Sequence, residues 1–417
     1  MAVIRSRISQ DNQELAENIM SNKRVIAGVT GGIAAYKAAE LVRLFVGEDI
    51  HIDVAMTANA ARFITPLTFE ALSGNSVVTR MFDHDTDSMD HITWGQSADL
   101  IIIAPATANF IGKMAHGICD DFLSTMILAT TAKILVCPSM NSHMFLNPAV
   151  QANIRLLKER GCTIMEPGKG ELACGTEGPG RLPDPDEIFE NSMILLSHQD
   201  LSGLRVLVTA GATMEPIDPV RFITNRSSGK MGYALARTAR RRGAEVILIS
   251  GPTSLKTPLD VNCLKVKTTE EMRKAVFDNH KQCDVIIKAA AVSDYRPVRT
   301  MDHKIKKKKE IQPLELIRNP DILAELGASK GDTECILVGF AAETEDLLAN
   351  ARKKLQQKNL DIIVANDVSR DDAGFESDTN LVKVIYRDGS VEDFPMMTKE
   401  KVAEQLLDKI KSLRDSK

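Results

Sequence analysis

The sequence predicts an α/β protein built from two doubly wound, Rossmann-like domains. Short β-branched apolar runs alternate with helical patterns from residue 23 onward, and the rhythm breaks in a Gly/Pro-rich stretch before restarting after residue 203. The 417 residues are also too many for one ordinary core. Continuous apolar strands separated by helices mark a parallel sheet covered on both faces.

In the first half the strand candidates are "RVIAGVTG" (24–31), "HIDVAMT" (51–57), "DLIIIAPAT" (99–107) and "AKILVCPSM" (132–140), with a helix in "IAAYKAAELVRLFV" after the first. "PGKGELACGTEGPGRLPDPDEI" then interrupts the alternation with glycines and prolines. The second half offers "LRVLVTAGAT" (204–213), "AEVILISGP" (244–252), "CDVIIKAAAV" (283–292), "CILVGFAAET" (335–344) and "LDIIVANDV" (360–368). The expected organisation is an extension over 1–22 with room for a short amphipathic helix, a domain over 23–190, a linker over 191–203 and a domain over 204–417. In doubly wound sheets ligands sit beyond the carboxyl ends of the strands, so the loops closing these phrases are where chemistry is expected.

Composition narrows the function. A pI near 6.1 gives the molecule no attractive field for a polyanion, and one Trp with four Tyr leaves few platforms for base stacking. Seven cysteines (119, 137, 162, 174, 263, 283 and 335) form no CxxC pair and no Cys/His zinc spacing, which fits a reduced, cytoplasmic setting. No secretory h-region and no apolar run of about 18 residues is present, so no membrane partner is expected. The run "HKIKKKKE" (303–310), with five lysines in eight positions, reads as solvated surface or as a phosphate contact.

In "VTGGIAAYKAAE" a strand passes through two glycines directly into a helix, so backbone N–H groups and the helix dipole can face a phosphate. "GKGELA" (168–173) matches G-x-G-x-x-A but has no strand before it and is set aside. His91 precedes an apolar strand, and Asn141 follows another where its amide could bond a carboxylate. Cys174 sits in a loop too polar for ordinary core, of the kind that forms a lid.

Together "TGGIAAYK", "DHITW", "APATANFIGKMAHGICDDFLST", "PSMNSHMF" and "ACGTEGPGR" resemble the flavin-containing decarboxylases that act on cysteine carboxylates. They look most like the decarboxylase half of the bacterial bifunctional phosphopantothenoylcysteine decarboxylase/phosphopantothenate–cysteine ligase of coenzyme A synthesis, over about residues 23–190. The resemblance implies FMN bound by Gly31, Gly32, Ile33, Thr57, Ala106, Thr107, Asn109 and Ser124. It implies His91 as acid/base of oxidative decarboxylation, Asn141 as the holder of the substrate carboxylate and Cys174 as the donor of the last proton. The chemistry needs an electron sink: oxidising the cysteine side chain to a thioaldehyde places the carboxylate β to C=S, so that CO₂ can leave.

In the second half "ITNRSSGKMG" superficially suggests a P-loop, but Met231 occupies the position of the metal-binding hydroxyl. "KAAAVSDYRP", the lysine run, "RNPDIL", "GFAAET" and "ARKKLQQKNLDIIVANDVS" follow the order of the synthetase half of the same family, over about residues 204–410. The implied reaction joins 4′-phosphopantothenate to cysteine, driven by CTP through an acyl-cytidylate, with Mg²⁺ (or Mn²⁺) offsetting triphosphate charge. Asn225 is implied in amine attack, Arg221 in substrate binding, and Lys288, Ala289, Ala290, Asp294, Lys304, Pro320, Asp321, Ile322, Leu323, Phe340, Lys354 and Lys358 in nucleotide contacts. Lys304 is expected on a mobile flap over the crevice, with Lys306 to Lys309 facing solvent. The family also implies a homo-oligomer, trimer-based or dodecameric, with sites shared at subunit contacts.

Three rivals fit the sequence less well. A two-domain NAD(P)-dependent reductase needs G-x-G-x-x-G at the first turn, where "GVTGGIAA" stands. A nucleic-acid module needs a basic surface with interleaved aromatics. A non-catalytic flavin-fold subunit has no need of His91, Asn141 and Cys174 together.

Overall fold

A computed structural model of the chain describes residues 22–82, 89–171, 175, 177–306, 313–331, 334–343, 346–367 and 377–416. It divides into two compact units, 1–197 and 198–417. The extension expected over 1–22 lies outside the described residues up to residue 21.

The first unit opens with β1 (Arg24–Val29), α1 (Ala35–Gly47), β2 (His51–Met56), α2 (Pro66–Ser73), β3 (Val77–Val78), α3 (Asp90–Ser97) and β4 (Leu100–Ala106). It continues through α4 (Ala108–His116), α5 (Phe122–Ala129), β5 (Lys133–Pro138), α6 (Ser142–Phe145), α7 (Pro148–Glu159) and β6 (Thr163–Ile164). A hairpin of β7 (Gly168–Glu171) and β8 (Glu177–Arg181) and the helix α8 (Pro185–Leu196) complete it. The sheet is parallel in the order β3-β2-β1-β4-β5-β6, so strand order reverses between β1 and β4.

Alternate residues of each central strand enter two different cores. Val25, Ala27 and Val29 with Leu100 and Ile102 pack under α1 and α8, against Leu41, Phe45 and Phe189. Ile26, Ile101 and Ile103 face the other way, against Phe110, Phe122 and Met126 of α4 and α5. Burial on both faces explains why these strands read as unbroken apolar runs, each such side chain contributing about 1.5–3 kcal/mol.

The second unit begins with β9 (Arg205–Ala210), β10 (Met214–Pro216), β11 (Phe222–Thr224), α9 (Lys230–Arg241), β12 (Glu245–Ser250), β13 (Asn262–Lys265), α10 (Thr269–Asn279) and β14 (Val285–Lys288). Then follow β15 (Tyr295–Pro297), β16 (Leu316–Arg318), α11 (Ile322–Ser329), β17 (Ile336–Glu343), α12 (Leu347–Gln357) and β18 (Ile362–Asp367). The unit ends with β19 (Thr379–Tyr386), β20 (Val391–Thr398) and α13 (Lys399–Asp415). Its main sheet runs β13-β12-β9-β14-β17-β18-β19-β20, repeating the first unit's topology through β18 and reversing between β9 and β14. The last two strands are antiparallel additions, and the β19–β20 register shifts between Asn380 and Val382 at a bulge.

The linker expected over 191–203 is corrected to a much shorter connection. α8 extends to Leu196, with Met193 and Leu196 in the first unit's core, whereas Leu201 is buried in the second unit's core. Apolar side chains at those positions gain more from burial than a solvated linker would allow.

Candidate active sites at the two switch points

At the first switch point the loops after β1, β2, β4 and β5 converge on a cavity of about 1010 Å³. Thr30 fastens two of them: its Oγ1 donates to the Pro105 carbonyl at 2.7 Å and accepts from Thr107 N–H at 3.0 Å. Thr107 in turn caps α4 by accepting from Phe110 N–H. Gly31, Gly32, Ile33, Thr57, Thr107, Asn109 and Asn141, all expected at the site, line this cavity. Ala106 is buried at the end of β4, and Ser124 is buried as part of the α5 cap, its Oγ bonded to Asp121. Neither is among the lining residues, while Asp121 is.

Sequence reasoning passed over Lys37, Asn59, Arg80, Lys113 and Arg181, which also line the cavity. Lys37, Lys113 and Arg181 stand inside the motifs that carry the resemblance but have no signal of their own, Asn59 and Arg80 lie outside them, and the strand order brings all five together. Lys113 is partly buried, which disfavours its charge, but hydrogen bonds to Asp120 and Asp121 hold its pKa above the ordinary lysine value.

Asn141 caps α6, its Oδ1 accepting from His143 N–H at 2.9 Å. β8 is drawn against this turn: Met140 N–H donates to the Gly180 carbonyl at 3.0 Å, and a Cβ at Gly180 would come within 2.1 Å of the Met140 carbonyl oxygen. Gly178 and Gly180 of the hairpin therefore pack directly against the Met140–Ser142 turn. Cys174 itself lies outside the described residues. His91, half-buried in the first turn of α3, is not among the residues lining the cavity.

At the second switch point an isolated bridge joins Ala212, after β9, to Ala291, after β14. Asn225 Nδ2 donates to the Ala291 carbonyl at 3.2 Å, which ties the "TNRSSG" loop to the same place. Asn319 unites two further loops, donating from Nδ2 to the Ser293 carbonyl at 2.8 Å and from its backbone to the Asp294 carbonyl at 2.8 Å. A buried carboxylate supports this arrangement: Glu215 accepts from both N–H and Oγ1 of Thr269, which also accepts from Asn319. Glu215 and Thr269 carried no signal in the sequence, and Asn319 stood unremarked inside "RNPDIL", because their role is to satisfy one another.

Ala289, Ala290 and Phe340 line a cavity of about 130 Å³ beside the first turn of α9. Lys288, just before them, is almost wholly buried, and burial pushes its pKa down to about 7 against the pull of Asp321 and in step with Lys358. Asp321 caps α11 and accepts from Lys358 at 2.9 Å. Lys288, Asp321 and Lys358 are thus electrostatically coupled, and Pro320, Ile322 and Leu323 flank Asp321 in the chain. Asp294 and Lys304 are exposed, Lys354 lies half-buried on α12, and none of the three lines the small cavity.

Arg221 serves to hold its own loop in shape. Its guanidinium pairs with buried Asp218 and donates to the Ile305 carbonyl at 3.0 Å. Asp218 also accepts from Ile305 N–H at 3.1 Å, and the Arg221 hydrogen bond holds its pKa well below the usual carboxylate range. The flap expected around Lys304 is therefore anchored at the next residue. Lys306 is exposed as expected, and Lys307 to Lys309 lie outside the described residues.

These features define a two-domain α/β enzyme with a ligand crevice at each switch point. The family model described as Flavoprotein matches residues 14–197, and that of the DNA/pantothenate metabolism flavoprotein C-terminal domain matches residues 201–413. The coenzyme A biosynthesis bifunctional protein CoaBC of Bacillus subtilis (strain 168) is 48% identical over 400 residues, covering 95% of this chain and 98% of its own. That of Escherichia coli (strain K12) is 44% identical over 403 residues, covering 95% and 99%. A crystal structure of the C-terminal domain of a CoaBC protein is 43% identical, with a TM-score of 0.45, covering 52% of this chain and 100% of that one. The chain belongs to this family, the bifunctional phosphopantothenoylcysteine decarboxylase/phosphopantothenate–cysteine ligases of coenzyme A biosynthesis, and is an enzyme with both activities.

Proposed function

We propose that the second unit joins 4′-phosphopantothenate to cysteine with CTP, through an acyl-cytidylate, and that the first unit decarboxylates the product to 4′-phosphopantetheine with FMN. The observation that carries this reading is the convergence of Gly31, Thr107, Asn109 and Asn141 on one cavity of about 1010 Å³, room enough for a flavin mononucleotide beside a substrate arm.

The residues fit FMN. Gly31 to Ala34 of the β1–α1 turn line the cavity at the start of a helix, and Lys37 and Arg80 stand on its wall, so a phosphate would meet a helix N-terminus and positive charge. When bound, FMN would supply the oxidation that makes a thioaldehyde of the cysteine side chain and, once CO₂ has left, the return of the same hydride, so that the flavin ends as it began. Asn141 would hold the substrate carboxylate, His91 would move a proton at the reacting carbon and Cys174 would deliver the last proton. Among the described residues no group of three or more His, Cys, Asp or Glu stands together as a metal site. The described helices include none long and apolar enough to cross a membrane.

The purified protein is expected to be yellow, to release FMN on denaturation and to convert 4′-phosphopantothenate, cysteine and CTP to 4′-phosphopantetheine. Gly31→Ala should lose the colour, because a Cβ there would meet Asn59 Cβ at 2.4 Å and its backbone at 2.9 Å, forcing the phosphate turn open. Overpacking of this kind costs about 1–3 kcal/mol, or roughly ten- to a hundredfold in flavin affinity. A visible spectrum of the variant identical to wild type would refute it.

For the second unit, Asn225→Asp should still activate the carboxylate but fail in transfer, since a carboxylate cannot donate as Nδ2 does at Ala291. Pyrophosphate release with amide formation reduced by about 10²-fold or more is the expected signature. Wild-type amide formation would remove Asn225 from the mechanism.

A further inference from the structure

Lys358, one of the residues implied in nucleotide contact, ends α12 as its C-cap, and the turn that follows is closed in a fixed way. Leu360 N–H donates to the Leu355 carbonyl at 3.0 Å and Asn359 N–H to that of Gln356 at 3.2 Å, while Leu355 and Leu360 share one core. This pattern needs a left-handed residue directly after the cap, and Asn359 supplies it at φ 49°. Glycine is the usual occupant of that position, because it has no Cβ to strain. Asparagine adds a side chain.

Both polar atoms of that side chain are in use. Asn359 Nδ2 donates to the Gly327 carbonyl of α11 at 3.1 Å. Its Oδ1 accepts from the Arg387 guanidinium, and Arg387 N–H donates to the Asp361 carbonyl at 3.0 Å. α11 shows the converse choice, a buried glycine inside an eight-residue helix, where glycine weakens the structure. Close approach explains it: a Cβ on Gly327 would come within 1.8 Å of the Lys358 carbonyl oxygen and 2.7 Å of its carbon. α11 therefore rests on the backbone of Lys358.

The other end of α11 holds the other end of the same lysine. Asp321, the N-cap of α11, accepts from Lys358 Nζ at 2.9 Å. One short helix thus grips Lys358 twice, at its carbonyl beside Gly327 and at its ammonium beside Asp321. Asp321 and Lys358 both act on the buried Lys288 at the end of β14, so the grip also fixes the spacing of three charges.

We propose that Asn359 and Gly327 are positioning residues for the nucleotide: neither touches it, and both act by holding Lys358 where its ammonium can meet it. This rests on the ligase reading above. A lysine stem free to swing loses that freedom when a ligand arrives, whereas a stem held at both ends has already lost it on folding.

The test is a double-mutant cycle on CTP-dependent ligation by the full-length, flavin-loaded protein, with CTP binding measured by calorimetry and decarboxylation as the internal control. Asn359→Gly keeps the left-handed turn and removes both side-chain bonds. It should raise KM and Kd for CTP about two- to tenfold, leaving kcat, thermal unfolding and decarboxylation near wild type. Gly327→Ala should raise them further, since backbone has to move. Lys358→Met should raise them at least as much as Asn359→Gly does, and adding Asn359→Gly to it should change nothing more, because the side chain being positioned is gone. A merely structural role would add its effect in both backgrounds. Additive effects, or wild-type CTP affinity in Asn359→Gly or Lys358→Met, overturn the proposal while the ligase reading stands. A wild type that neither binds CTP nor joins 4′-phosphopantothenate to cysteine overturns that reading, and the positioning role with it.

Discussion

His91→Asn should lose decarboxylation by about 10²–10⁴-fold, the usual contribution of a positioned acid/base, while ligation and flavin content stay at wild-type level. Asn141→Asp should fail comparably for a different reason: the new side chain can still cap α6, but its charge repels the carboxylate that the amide would hold. The two residues need not act within one chain, for Asn141 lines the large cavity and His91 does not. An active centre completed by a second copy, which the family resemblance implies, would account for that separation. Coexpressing the two inactive variants with distinguishable tags, and purifying mixed oligomers, should restore part of the decarboxylation, because some contacts then pair an intact His91 with an intact Asn141. Mixed oligomers as inactive as their parents would show that both residues must come from one chain.

Lys304→Gln should reduce CTP-dependent ligation by about 10²–10³-fold, with decarboxylation of supplied 4′-phosphopantothenoylcysteine as an internal control. The neighbouring structure strengthens the expectation that this lysine differs from the rest of its run. Ile305 is bonded through its N–H to Asp218 and through its carbonyl to Arg221, so Lys304 emerges from a fixed point while keeping its side chain exposed. An ammonium on a pinned backbone and a flexible stem can reach triphosphate oxygens with little loss of backbone freedom. Lys306→Gln, one residue past the anchor and exposed, is the matched comparison and should remain near wild type. Equal ligation by both variants would return the whole run to solvated surface. Arg221→Ala would be a poor substitute for this experiment, since it would release the anchor and confuse binding with positioning.

The central strands were legible because burial on two faces leaves no room for polar alternation, and "RVIAGV", "LIIIAPA", "RVLVTA" and "IIVAND" appear almost as they stand in the fold. The edges were not. β3 and β6 are two residues each, and β13 reads "NCLK", too short and polar to stand out. β19 mixes buried with half-buried positions in "TNLVKVIY" and lies beyond the last apolar run. The glycine turn and Asn141 could be named from sequence because each directly follows a recognisable strand, and Thr107 through the family resemblance. Asn380 and Lys399 of the small cavity could not, since antiparallel pairing with β18 and β20 brings them to a turn about 150 residues earlier. Ser124 also serves locally, its hydroxyl closing the α5 cap against Asp121.

Those inconspicuous edges bear on how such a protein survives at high concentration. An open sheet displays unpaired N–H and C=O groups along its outer strands and can recruit another chain as an extra strand. The first unit ends its sheet on both sides in two-residue strands, too short to template anything. The second ends on one side in the four residues of β13 and on the other in β20, which carries Glu392, Asp393 and Pro395 next to its bulge. Proline offers no N–H, and the bulge breaks the spacing of the groups that remain. Irregularity at the rim thus protects these sheets from aggregation, leaving their regular interiors free to position ligands.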